Sequence, residues 1–95
     1  MALDQMKMLA QLKKAQNELK KELVEVEAGD GAVVVQINGE LKVKSIKFDK
    51  ELVGDDFAKL EKWTIAALSD GMEEAQKMAA EKMKPLMGGL GSLGL

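Results

Sequence analysis

The feature that most constrains this chain is a change in its hydrophobic period. From Val24 to Phe48 apolar and polar residues alternate, with Asp30-Gly31 and Asn38-Gly39 as punctuation, and on either side the apolar spacing is three and four residues. Alternation sends successive side chains to opposite faces of a strand, whereas the longer spacing gathers them on one stripe of a helix. The pattern predicts an α+β fold: a long helix, a three-stranded antiparallel meander and a second long helix, in the order α-β-β-β-α.

The first helix is expected from Leu3 or Asp4 to Leu23. Leu9, Leu12, Gln16, Leu19 and Leu23 mark its apolar stripe beside Met6, Met8 and Ala15, and Ala, Leu, Gln, Lys and Glu, all good helix formers, dominate the segment. Asp30-Gly31 and Asn38-Gly39 read as two-residue hairpin loops, so partner numbers are expected to sum to 61 and then to 77. Val24, Val26, Ala28, Val33, Val35 and Ile37 then share one face. The other holds Val34, Leu41 and Val43 beside Glu25, Glu27 and Gln36, and a sheet with apolar groups on both faces needs two covers. Leu41 and Val43 are odd-numbered while Ile46 and Phe48 are even, which places a bulge or strong twist near Lys44-Ser45.

Asp49 to Gly54 reads as a connection into the second helix, with Asp55 as its cap and Asp56 near its positive end. Phe57, Leu60, Thr64, Ala67, Gly71, Ala75, Met78 and Lys82 mark one face, widened by Trp63, Leu68, Met72, Ala79 and Met83. Gly71 implies close packing or an irregularity, since Gly costs about 1 kcal/mol of helix propensity relative to Ala. Pro85 is expected to stop or bend the helix near Lys84. Residues 1–87 thus form a single α+β dimerising domain, and the Gly/Leu-rich residues 88–95 a flexible tail. Two apolar stripes and a mixed sheet face exceed what 95 residues cover by themselves, so a homodimer is expected. Val34, Leu41, Val43, Phe57, Leu60 and Trp63 are the dimer or core candidates.

The chain has no His, Cys or Tyr, which removes imidazole and thiol chemistry and the usual zinc ligands. Asp49, Glu51, Asp55 and Asp56 are explained by capping and a polar loop without a metal ion, and Glu73, Glu74 and Glu81 do not form a paired acid-base site. Gly29-Asp30-Gly31 lacks the spacing of a phosphate loop. No enzyme activity, cofactor, metal or small-molecule substrate is expected. No run of 18 apolar residues occurs, so a cytoplasmic protein without a membrane span is the expectation.

Charge is unevenly placed. Residues 1–23 carry Lys7, Lys13, Lys14, Lys20 and Lys21 against Asp4, Glu18 and Glu22, a local +2, within a chain of net charge −2. Every cation is Lys, so the bidentate reading of guanine by Arg is excluded and any DNA contact is chiefly point charge to phosphate. The five lysines are the first DNA-contact candidates. Lys82 and Lys84 extend that surface if the end of the second helix lies near it.

Over nearly its whole length the chain resembles the YbaB/EbfC nucleoid-associated proteins. The resemblance is carried by the Met/Leu/Gln/Lys-rich opening helix, Val24-Glu25-Val26, Gly29-Asp30-Gly31 and the run from Val33 to Gly39. It continues through Ser45-Ile46-Lys47-Phe48-Asp49, Lys50-Glu51-Leu52, Leu60-Glu61, Ala66-Ala67 and Met83 to Gly89. It implies a YbaB-like homodimer of the cytoplasm and nucleoid that binds double-stranded DNA, with a shared sheet core, helices projecting as tweezer arms and no catalytic residues. The acidic total charge and lack of Arg favour the alternative, a structural or protein-interaction dimer without significant DNA binding.

Overall fold

The computed structural model describes the backbone of residues 2–92 and the side chains of residues 3–86. Helix α1 (Ala2–Lys21) leads into strands β1 (Leu23–Ala28), β2 (Val33–Asn38) and β3 (Val43–Phe48), then a one-turn helix α2 (Lys50–Val53) and the long helix α3 (Phe57–Ser92). The strands form one antiparallel sheet in the order β1-β2-β3. The expected α-β-β-β-α order is the one observed, although α1 ends before Leu23, which begins β1.

The first hairpin has the expected register, Val24 opposite Ile37 through Ala28 opposite Val33. The second does not, and Asn38 is the reason. Its side-chain oxygen accepts from the backbone N–H groups of Glu40 and Lys42, both at 3.0 Å, while its amide donates to the Lys20 carbonyl at 3.2 Å. Its own N–H reaches the Lys42 carbonyl, and Leu41 takes the left-handed conformation at φ 65°. The result is a three-residue loop, Gly39 to Leu41, in place of a two-residue turn. Ile37 therefore pairs with Val43 and Gln36 with Ser45, leaving Lys44 as the extra residue of a bulge where the change of phase placed one.

That bulge corrects the expected faces. Directly paired residues share a side of the sheet, so Val43, Ile46 and Phe48 lie with Ile37, Val35 and Val33, and Val43 does not join Val34. Leu41 belongs to the loop. The outer face is consequently more polar than expected, with Val34 between Glu27 and Lys47, and Gln36 between Glu25 and Ser45.

The core forms where α3 crosses β1 and β2. Val33, Val35, Ile37, Ala67 and Ala75 are fully buried, with Val24, Val26, Ala28, Leu60, Trp63, Leu68 and Met72 packed around them. Gly71 is the point of closest approach: a Cβ there would stand 2.7 Å from Ile37 Cδ1 and 3.2 Å from Val35 Cγ2. Gly39 does the same for α1, since a Cβ would meet the Leu19 side chain at 2.5 Å and its backbone oxygen at 2.9 Å. That absence of a side chain lets the Gly39 N–H donate to the Leu19 carbonyl at 2.8 Å, satisfying the end of α1. At the other end of the sheet Trp63 lies against Gly29, whose Cβ would overlap the indole ring.

Helix capping falls on residues other than Asp55. Asp49 accepts from the N–H groups of Glu51 and Leu52 to cap α2, and Asp56 accepts from Lys59 N at 3.1 Å to cap α3. Helix α3 also runs on through Pro85 to Ser92 instead of stopping near Lys84. Proline removes one backbone bond but spares the rest of an already nucleated helix, and Pro85 is exposed. Residues 88–92 therefore continue α3, and the remainder of the expected tail, residues 93–95, lies outside the described residues.

At about 1.5 Å per residue, the 36-residue α3 is roughly 54 Å long, far longer than the strands. Its second half runs beside α1 in the antiparallel sense, with Glu18 and Glu22 near Lys82 and Gln11 and Ala15 near Pro85 and Leu86. The two helices make an arm beyond the sheet, giving extents of 62 × 20 × 15 Å. The radius of gyration is 18.1 Å, against about 12 Å for a compact domain of this length.

Candidate nucleic-acid interface

Ala15 and Leu19 are the inward residues of α1, only 8% and 6% exposed, and they fix which way the rest of the helix points. Lys7, Lys14 and Lys21 are spaced by seven, as are Lys13 and Lys20. Seven residues make almost two turns and advance about 10.5 Å, so each set forms a row along the rod. At about 100° per residue, the rows lie on opposite flanks, each roughly 120–140° round the helix from the buried stripe. All five lysines are exposed. Lys13, Lys14 and Lys21 border a shallow depression with Ala10, Asn17 and Glu18, a surface that can meet a phosphate chain but encloses no small molecule.

Lys82 is placed differently from the other candidates. Its ammonium lies 2.8 Å from Glu18 Oε2 and 2.7 Å from Glu22 Oε1, forming a clasp from α3 to the end of α1. Its hydrogen bonds to the two carboxylates push its pKa up to about 12, and the same contact, helped by Lys14, holds the Glu18 carboxyl below the usual carboxylate value. The end of the second helix does reach the α1 surface, as the expectation for Lys82 required, but the charge arrives already paired. Lys84 is exposed. Among the described residues no group of three or more carboxylates is placed to hold a metal ion, and no helix is long and apolar enough to cross a membrane.

A second surface lies on the helix-facing side of β3. Helix α3 covers β1 and β2, while Val43, Ile46 and Phe48 remain 40%, 40% and 50% exposed at the sheet edge. Phe48 lines a groove with Leu60, Glu61, Thr64 and Ile65. Among the described residues of α3, Phe57 and Ile65 are the large apolar side chains left exposed, at 71% and 66%. Of the dimer or core candidates, Leu60 and Trp63 pack on the core, Val34 is half-buried on the outer face, and Leu41, Val43 and Phe57 are exposed. Ile46, Phe48 and Ile65 were not among them. The shift from odd to even apolar positions along β3 was the available signal for the first two.

The chain is thus an elongated α+β fold with lysine rows on a helical arm and an apolar sheet edge that α3 leaves uncovered. Its fold is similar to that of a crystal structure of an uncharacterized Helicobacter pylori protein, with a TM-score of 0.75 at 21% identity, covering 90% of this chain and 89% of that one. The chain belongs to the YbaB/EbfC DNA-binding family, whose model matches residues 1–90. It is 41% identical over 87 residues to a nucleoid-associated protein of Chloroflexus aurantiacus, covering 90% of this chain and 87% of that protein. It is 41% identical over 81 residues to a nucleoid-associated protein of Syntrophobacter fumaroxidans, covering 84% and 74%. A nucleoid-associated protein of Rhodococcus opacus is 38% identical over 89 residues, covering 93% and 79%.

Proposed function

We propose that this protein is a nucleoid-associated protein of the cytoplasm that binds double-stranded DNA as a homodimer through Lys-phosphate contacts with limited sequence selectivity. The observation that carries the proposal is the pair of exposed, seven-spaced lysine rows on α1, in a chain that belongs to a DNA-binding family. Lys7, Lys13, Lys14, Lys20 and Lys21 are the phosphate contacts and Lys84 an accessory one. With Lys alone available, selectivity comes from groove shape and deformability, so bound DNA is bent or spaced to match the two arms.

A second copy doubles the lysine surface, and the exposed area of the single chain supports such a partner. The subunit exposes 7025 Å², about 30% above the roughly 5,400 Å² expected for a compact monomer of its mass. Val43, Ile46, Phe48, Phe57 and Ile65 supply the apolar surface that a second copy covers. Residues 1–87 are the dimerising unit.

A salt series on unrelated duplexes tests the function. If three lysines of each arm engage, log K falls with log salt at a slope of about −5. Lys13→Ala with Lys14→Ala, and Lys20→Ala with Lys21→Ala, weaken all duplexes by similar factors and flatten the slope. Absence of wild-type binding at about 50 mM salt favours the protein-interaction dimer, the reading supported by the net charge of −2. A loss confined to one sequence rejects phosphate contact as the main role.

A further inference from the structure

Two carboxylates interrupt the lysine surface of α1. Glu18 lies four residues after Lys14 and three before Lys21, the spacings at which helix side chains meet, and Glu22 follows Lys21 directly. Left unpaired, these groups would repel an approaching phosphate and compete for Lys14 and Lys21. Neither is unpaired, because Lys82 reaches across from α3 to hold both, at 2.8 and 2.7 Å. The Lys82 side chain is also the more enclosed partner, 30% exposed against 41% and 38% for the two glutamates. Its ammonium stands between the helices, at a groove that Lys14 borders from the α1 side with Glu18, while Lys14 and Lys21 themselves remain exposed.

We infer that Lys82 is an internal counter-ion of the arm: it holds Glu18 and Glu22 and offsets one of their two negative charges, so that they draw less on Lys14 and Lys21, and it makes no phosphate contact itself. The inference rests on the DNA-binding reading above and departs from the sequence expectation that Lys82 is one of the contacts. Without Lys82 the surface through Glu22 carries five Lys against Asp4, Glu18 and Glu22, a net +2, and with Lys82 it is +3, one of the two glutamate charges nearest the rows being offset.

The test is a charge cycle on full-length protein, with duplex affinity read by fluorescence anisotropy over a salt series and folding checked by helical circular dichroism. Lys82→Gln is expected to weaken binding about threefold per arm, near tenfold for a dimer, from a unit charge exposed roughly 7 Å from a phosphate in water. Lys82→Arg preserves affinity. Glu18→Gln with Glu22→Gln binds at least as tightly as wild type, and adding Lys82→Gln to that pair changes affinity by less than about twofold with the salt slope unchanged.

Three results overturn the inference. If Lys82→Gln costs the same factor with the glutamates replaced and flattens the slope by about 0.9 per lysine lost, Lys82 is a phosphate contact. If the double glutamine variant is as weak as Lys82→Gln, the clasp acts only by holding the helices together. If the wild type does not bind duplex, the DNA-binding reading fails and takes this inference with it, whereas wild-type binding without rescue removes this inference alone.

Discussion

Replacing Asn38 by Ala is expected to destabilise the protein by about 2–3 kcal/mol, although the residue lies at a hairpin turn where substitution is ordinarily tolerated. Asn38 is only 2% exposed, and its side chain makes three hydrogen bonds, at 3.0, 3.0 and 3.2 Å, which close the second hairpin and tie it to the end of α1. Each such bond contributes about 1 kcal/mol net, and the sum is taken low because the freed groups belong to Lys20, Glu40 and Lys42, exposed residues that water can reach. Asn38→Asp keeps both acceptor bonds but loses the donor and sets a negative charge against the carbonyl end of α1. Its cost is therefore about 1.5–2 kcal/mol. Urea titration followed by the fluorescence of Trp63, the single tryptophan, reads both variants at one fixed protein concentration. The Asn38→Ala midpoint should fall by roughly 1–2 M. Amide exchange at Gly39, whose N–H caps α1, should accelerate in parallel. An Ala variant within about 0.5 kcal/mol of wild type, or an Asp variant less stable than the Ala variant, refutes the idea that this side chain fixes the seat of the arm.

Two further expectations concern assembly and pH. Ile46→Asp should convert a dimer of twice 10.3 kDa into a folded monomer, because Ile46 is already 40% exposed in the subunit while an unpaired carboxylate in an interface costs several kcal/mol. Sedimentation equilibrium at micromolar concentration decides it, and a variant that sediments as wild type places the interface elsewhere. The clasp gives a pH signature. Lys82 has a raised pKa, so its contribution is complete below 10.5 and lost as pH rises through about 12. Glu18 has a lowered one, so its contribution is complete above 4.5 and lost as pH falls through the depressed value. The difference in Tm between wild type and Lys82→Gln should be constant across neutral pH and shrink at both extremes; a difference that changes between about pH 6 and 9 excludes the clasp as its source.

Periodicity alone determined the order of elements, the register of the first hairpin, the buried face from Val33 to Ile37 and the existence of a bulge near Lys44. These features are local: alternation and helical spacing are set by backbone geometry within a few residues, so they can be read in one dimension. The close approach implied by Gly71 was legible for a related reason, since a helix interior rarely keeps a glycine without something pressed against it. The concentration of lysines in the first helix was visible too, because local charge is read directly from the sequence.

Tertiary structure decided what depended on partners distant in sequence. Asn38-Gly39 has the composition of a two-residue turn, yet Lys20, 18 residues away, competes for its side chain, and the loop lengthens to serve both the hairpin and α1. The shifted register in turn moved Val43 to the helix-facing side and left Val43, Ile46 and Phe48 as one uncovered edge. Lys82 looked like any other lysine near the end of a helix. Its partner Glu22 lies 60 residues away, and only the antiparallel course of α3 beside α1 brings the two together. Charge can be counted from a sequence, but whether a charge faces a phosphate or a neighbouring carboxylate depends on which helix lies alongside.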